Sequence, residues 1–211
     1  MKNLTAIPGL ALCLLLTACT TDSINPLSSP DSAQPDHQLV GIWRGRNDPD
    51  KETFRISITN THWMHVIITP DQTDTEKRPS MIDRKPESYD FFPTVIGNNT
   101  FLNVVTTGKD DAGHPTKTYQ ILRYTVKGNH ELQMWMISQD AAAAAVRAGK
   151  LQGHVDQGKD PMMVGQPPHP DVDVTLHSSS ADLVKFIQGT DVKALFSDKM
   201  ETLYRVSPPG K

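Results

Sequence analysis

From Leu39 onward this chain is cut into short runs of β-branched and aromatic residues, punctuated by Asn, Gly and Pro, and that punctuation confines it to a mainly β fold. Leu39–Gly45, Thr53–Thr59, His62–Thr69, Thr100–Thr106, Thr118–Val126, Glu131–Ser138, Val172–His177 and Thr202–Val206 each read as a strand. Several of the links between them are tight. Thr59-Asn60-Thr61-His62, Gly97-Asn98-Asn99 and Val126-Lys127-Gly128-Asn129-His130 suit hairpins, because Asn and Gly tolerate positive φ. Neighbour following neighbour in this way predicts an antiparallel meander.

Alternation sets the faces. Phe54, Ile56 and Ile58 fall on one side of their strand with Arg55 and Ser57 on the other, so that second side is wet. Leu132, Met134 and Met136, by contrast, alternate with Trp135 and Ile137, an apolar strand on both sides that needs a cover. Helices are the expected cover. Gln139–Ala148, with its run of alanines and Gly149 as a stop, is one. Ala181–Gln188, capped by Ser179 or Ser180 and striped by Leu183, Val184, Phe186 and Ile187, is a second, and Asp191–Phe196 is a short third turn.

Ahead of these elements lie Met1-Lys2, the apolar run Leu10–Leu16 and then Thr17-Ala18-Cys19, the order of a secretory signal. The run is too short for a bilayer-spanning helix, which needs about 20 apolar residues. Leu16-Thr17-Ala18-Cys19 resembles the lipobox of bacterial lipoproteins. The resemblance implies that residues 1–18 are removed and that Cys19 is acylated, and Thr20 in place of Asp points to the outer membrane, facing the periplasm. Two or more acyl chains would hold stably, at about 0.8 kcal/mol per buried methylene. Residues 19–37, dominated by Ser, Pro and Asp, read as a flexible tether that stretches to about 50 to 60 Å at 3.3–3.6 Å per residue. Residues 38–211 then form one domain.

The chain has 2 cysteines, and both fall in the signal and anchor, so the domain holds no disulfide, thiol nucleophile or Cys-based metal site. A formal net charge of −3 without basic clusters argues against a nucleic-acid partner.

Gly41-Ile42-Trp43 on the first strand and Arg205 within the last resemble the lipocalin and calycin pattern. There, a Gly-X-Trp tryptophan closes one end of a barrel and an arginine from the final strand packs across it. The resemblance implies a single antiparallel lipocalin-like β-barrel with two or three short accessory helices, and a closing contact between Trp43 and Arg205. In such a barrel Trp63, Phe101, Tyr119 and Trp135 are the aromatic candidates to line a cavity for a small apolar ligand or peptide.

Catalytic signatures are absent: no Gly-X-Ser-X-Gly, no phosphate-cradling glycine loop, no His-Glu-X-X-His. Ser178-Ser179-Ser180 sits where a helix cap is needed. No cofactor or metal is expected. His62 and His65 point to opposite faces of a strand, His154 and Asp156 make only a pair, His169 lies between prolines, and Asp48–Glu52 reads as a turn rather than a calcium loop. Asp71–Tyr89 and Asp156–Asp171 are expected as long loops, the second carrying the apolar Met162-Met163-Val164. The expected function is therefore non-catalytic binding in the barrel. The alternative is a solid barrel that meets a periplasmic protein partner through its long loops.

Overall fold

The computed structural model describes residues 21–45, 52–70, 85–109, 113–157 and 172–206. Its strands are β1 (Thr21–Ser23), β2 (Gly41–Gly45), β3 (Thr53–Ile58), β4 (Met64–Thr69), β5 (Glu87–Ile96), β6 (Asn99–Lys109), β7 (Pro115–Lys127), β8 (Glu131–Met136), β9 (Gly153–Gln157), β10 (Val172–Leu176) and β11 (Asp198–Arg205). The helices are α1 (Gln139–Arg147), α2 (Ser180–Gln188) and α3 (Val192–Leu195). Strands β2 to β8 follow one another as an antiparallel meander, and β11 pairs with both β8 and β2, closing an eight-stranded antiparallel barrel. The β7–β8 turn has Gly128 at φ 54° and Asn129 at φ 59°, the left-handed pair that a tight hairpin requires.

Strand β5 is the barrel strand that sequence reading passes over. Pro93 lies in its middle, and a proline argues against a central strand. It is tolerated because pairing with β4 ends at Met64↔Phe91, so β5 beyond Phe91 has only β6 as a partner, from Phe91↔Val104 to Ile96↔Asn99. The expected Asp71–Tyr89 loop accordingly gives way to strand from Glu87.

The two faces of the sheet bury separate cores. Inside the barrel lie Trp43, Phe54, Ile56, Met64, Phe91, Leu102, Leu122, Leu132 and Leu203. Outside, Phe101, Ile121 and Ile137 meet the helices through Ala142, Ala143, Leu183, Ile187 and Phe196. The Phe101 and Phe196 rings stand 5.2 Å apart. Helix α1 stops at Gly149, whose φ of 66° and N–H bond to the Val146 carbonyl end the helix. Ser179 caps α2 by accepting from the Asp182 N–H, while Ser178 accepts the Gln152 N–H at 2.7 Å.

A flap extends this outer layer. Beyond the end of β8, β7 pairs with β1, β1 runs parallel to β10, and β10 pairs with β9. Strand β1 belongs to the stretch expected as a flexible tether, and that expectation is corrected. Thr21–Asp36 is wrapped on the barrel: Leu27 is buried in the outer core and its N–H donates to Asn103 Oδ1 at 2.7 Å. Ser28 meets Thr94 at 2.6 Å, the Ala33 carbonyl meets the His62 ring at 3.0 Å, and Asp36 accepts the Tyr124 hydroxyl at 2.8 Å. The composition misleads because polar pairing, added to the burial of only Leu27 and Ala33, secures the segment. The described folded body takes in Thr21–Asp36, ahead of the expected start at Gln38.

At the Gly41 end of the barrel Arg205 lies over the Trp43 ring, 4.2 Å from its centroid. The guanidinium donates to the carbonyls of Val40, Gln38 (2.5 Å) and Asn129 (2.6 Å), and the indole N–H donates to the Leu39 carbonyl at 2.7 Å. Gly41 is required twice. Its φ is 142°, and a Cβ there would run into the Arg205 guanidinium. Among the described residues no helix is long and apolar enough to cross a membrane.

Candidate functional site

Among the described residues, the concave places include two that could receive a ligand. The first is the barrel interior. Phe54 and Ile56 from β3, Ile68 from β4, Phe91 from β5, Leu102 and Val104 from β6, Leu122 from β7 and Met134 from β8 all point inward, as period-2 alternation demands. They leave a cavity of about 80 Å³. One carboxylate reaches its wall: Glu52, 1% exposed, just ahead of β3 at the end away from Arg205. A pocket that buries a drug-sized ligand holds about 300–1,000 Å³, so this barrel is largely filled by its own side chains.

None of the four aromatic candidates lines that cavity, which corrects their expected place. Phe101, Tyr119 and Trp135 occupy the outward positions of their strands, beside the inward Leu102, Gln120 and Met134, and Trp63 precedes the inward Met64. Phe101 packs against Phe196 under the helices. Trp135 is capped by Arg123, 5.0 Å from its ring centroid. Alternation fixes which residues share a face but not which face is inside, and in a strand apolar on both sides the choice has no sequence marker.

Trp63 and Tyr119 do come together, on the outside. Trp63 meets Phe92 edge to face at 5.0 Å, Phe92 meets Tyr119 at 6.2 Å, and Ala33 of the wrapped segment packs beneath. Lys117 Nζ sits 5.1 Å from the Trp63 centroid and 5.3 Å from that of Tyr119. Beside them opens the second place, a groove of about 450 Å³ walled by Thr59, Asn60, Trp63, Asp90, Val105 and Lys117. Asp90 also bonds His65 Nδ1 at 2.7 Å, and Asn60 Oδ1 accepts the N–H groups of His62 and Trp63. An aromatic ring, a cation, a carboxylate and an amide thus face one recess. Asn60, Asp90 and Lys117 escape sequence reading because they converge from separate strands and turns with no common spacing.

Acidic groups gather on the flap. Asp22 of β1 lies in register with Gln120 of β7 and Thr175 of β10, while Asp173 and Asp156 are paired on β10 and β9. Burial pushes the Asp22 carboxyl up to about 6; the Gln120 side-chain hydrogen bond opposes this and the Asp173 charge adds to it. Burial, and then the neighbouring Asp36 charge, lift the Tyr124 phenol above its usual value. His62 bonds the Ala33 carbonyl, His65 bonds Asp90, and His154 bonds Asp156 at 2.9 Å. Among the described residues no three His, Cys, Asp or Glu side chains are grouped to hold a metal ion. Cys19, Asp48–Lys51, Met162-Met163-Val164 and His169 lie outside the described residues, as do 71–84 and 158–171 of the two expected loops.

No family model, curated protein or solved structure matches the chain.

Proposed function

We propose that this protein is a lipid-anchored, non-catalytic binding protein of the bacterial envelope, held to the outer membrane through Cys19 and facing the periplasm. Its lipocalin-like barrel acts as a packed scaffold, and recognition of a protein partner takes place outside, in the groove beside Trp63. The observation that carries this reading is the small free volume inside the barrel, about 80 Å³, set beside an open outer recess where Trp63, Lys117, Asp90 and Asn60 converge. The groove also offers the chemistry of a protein-binding surface, an aromatic anchor beside a cation and a carboxylate.

A second reading has its own support. Apart from Glu52 the interior walls are apolar and include Met134, a side chain that adapts to irregular shapes, so a small apolar molecule of a few heavy atoms suits the cavity.

A photo-crosslinking residue at Lys117 in living cells separates the two readings. Outer recognition predicts a discrete envelope adduct that disappears with Trp63→Ala and is not obtained from a crosslinker at Lys150. Equal capture from both positions sinks it. Native mass spectrometry of the chain from Thr21, purified without detergent, is the complement. A co-purifying apolar molecule released on denaturation would move the binding site into the barrel.

A further inference from the structure

The anchor proposed above has a geometric consequence that rests on that reading. Cys19 precedes the first residue of β1 by only two positions. With 3.8 Å between consecutive Cα atoms, its Cα lies no more than about 7.6 Å from that of Thr21. Thr21 does not give. It is in register with Val174 of β10, its neighbour Asp22 is paired with Gln120 of β7, and Ser23 is in register with both Leu176 and Tyr119. Strand β1 is therefore an inner strand, with Thr21 6% and Ser23 1% exposed.

The chain stays fastened after β1. The Ile24 N–H donates to the Leu176 carbonyl at 2.9 Å, Asn25 Nδ2 to the Ser178 carbonyl at 3.0 Å, and the Leu27 N–H to Asn103 at 2.7 Å. Paying out a stalk would mean drawing a strand from between two others and Leu27 from the core.

We infer that the folded body rests directly on the bilayer, with the end of the flap where β1 begins held at the lipid headgroups. The surface that touches the membrane is thereby fixed. A body without a stalk reaches only as far as its own dimensions, so a component fixed in a more distant layer of the envelope lies beyond it.

The test uses the acylated full chain, reconstituted in phosphatidylethanolamine and phosphatidylglycerol vesicles that carry a dansyl headgroup probe. Energy transfer from the protein's 3 tryptophans to the probe is measured. The comparison is a variant with 20 Gly and Ser residues inserted between Thr20 and Thr21, a coil of about 25 Å root-mean-square span. The insertion lies ahead of β1, and an unchanged melting temperature verifies the fold. Strong transfer in the natural chain and a several-fold fall in the variant are expected. Equal transfer from both, at equal acyl mass, overturns the inference. A chain that carries no acyl mass on Cys19 removes the anchor instead, and the mass alone tells the two failures apart.

Discussion

Strands β3 and β8 belong to one barrel yet face different worlds. Strand β3 buries Phe54 and Ile56 inside and leaves Arg55 and Ser57 in solvent, whereas β8 buries Leu132 and Met134 inside and sets Trp135 against the outer core. The difference teaches that the barrel is only half of the folded body. Where the sheet is dressed by helices, flap and wrapped segment, its outer face is packed like its interior.

Matched truncations can break that comparison. Trp43→Ala on the inner face and Phe101→Ala on the outer, both fully buried, should each cost about 3–5 kcal/mol in denaturant unfolding. A Phe101→Ala loss below about 1 kcal/mol would reduce the outer core to a loose covering.

The next effect probes how the wrapped segment is held. Asn103 is 0% exposed, accepts from Leu27 and donates to the Phe92 carbonyl and to Thr94. Asn103→Ala leaves the Leu27 N–H buried without that acceptor and should cost about 1–3 kcal/mol. Limited proteolysis should then cut between Thr21 and Asp36 well before the barrel. Cleavage at the natural rate would show that Asn103 does not secure the segment.

Strand β1 gives a smaller effect of opposite sign. The Asp22 pKa rises from 3.8 to about 6 on folding, so the folded chain binds this proton more tightly than the unfolded chain does. Its favourable contribution is complete below about pH 4 and is lost as pH climbs through about 6. Asp22 Oδ1 and Gln120 Oε1 are moreover buried acceptors without a hydrogen-bond partner among the described residues, and a neutral acid supplies a donor. Asp22→Asn should thus stabilise the protein by about 1–2 kcal/mol at pH 7.5, after discounting for solvent screening of a partly exposed group. The gain should vanish near pH 4. A melting temperature unchanged by the substitution across that range would remove Asp22 from the account. Smallest of all, Lys117→Ala should alter stability by about 0.5–1 kcal/mol, since an exposed cation over a ring contributes little.

Much of this architecture is legible in the residues themselves. The meander, the three helices and the two-sided character of β8 follow from periodicity and turn chemistry, because those signals are local. What escaped was non-local. Strand β5 is hidden by Pro93, whose tolerance depends on where a neighbouring strand ends. Strand β1 has three residues and no apolar run, and exists only because β7 and β10 offer it two edges. The site fared worst for the same reason. Trp63 and Tyr119 could be picked out as aromatic, but their meeting with Lys117 and Asp90 is made by strand register and barrel curvature.

The double pairing of β1 also orders events in time. Its partners, Tyr119 and Gln120 on one side and Val174 to Leu176 on the other, are made long after it, and Asn25 finds Ser178 across 153 positions of chain. Contacts that close so large a loop form late, after the local hairpins of β2 to β8, as does the β2–β11 pairing that closes the barrel. A chain that emerges N-terminus first therefore secures that end late. The pairing of β1 is complete only once β10 has been made.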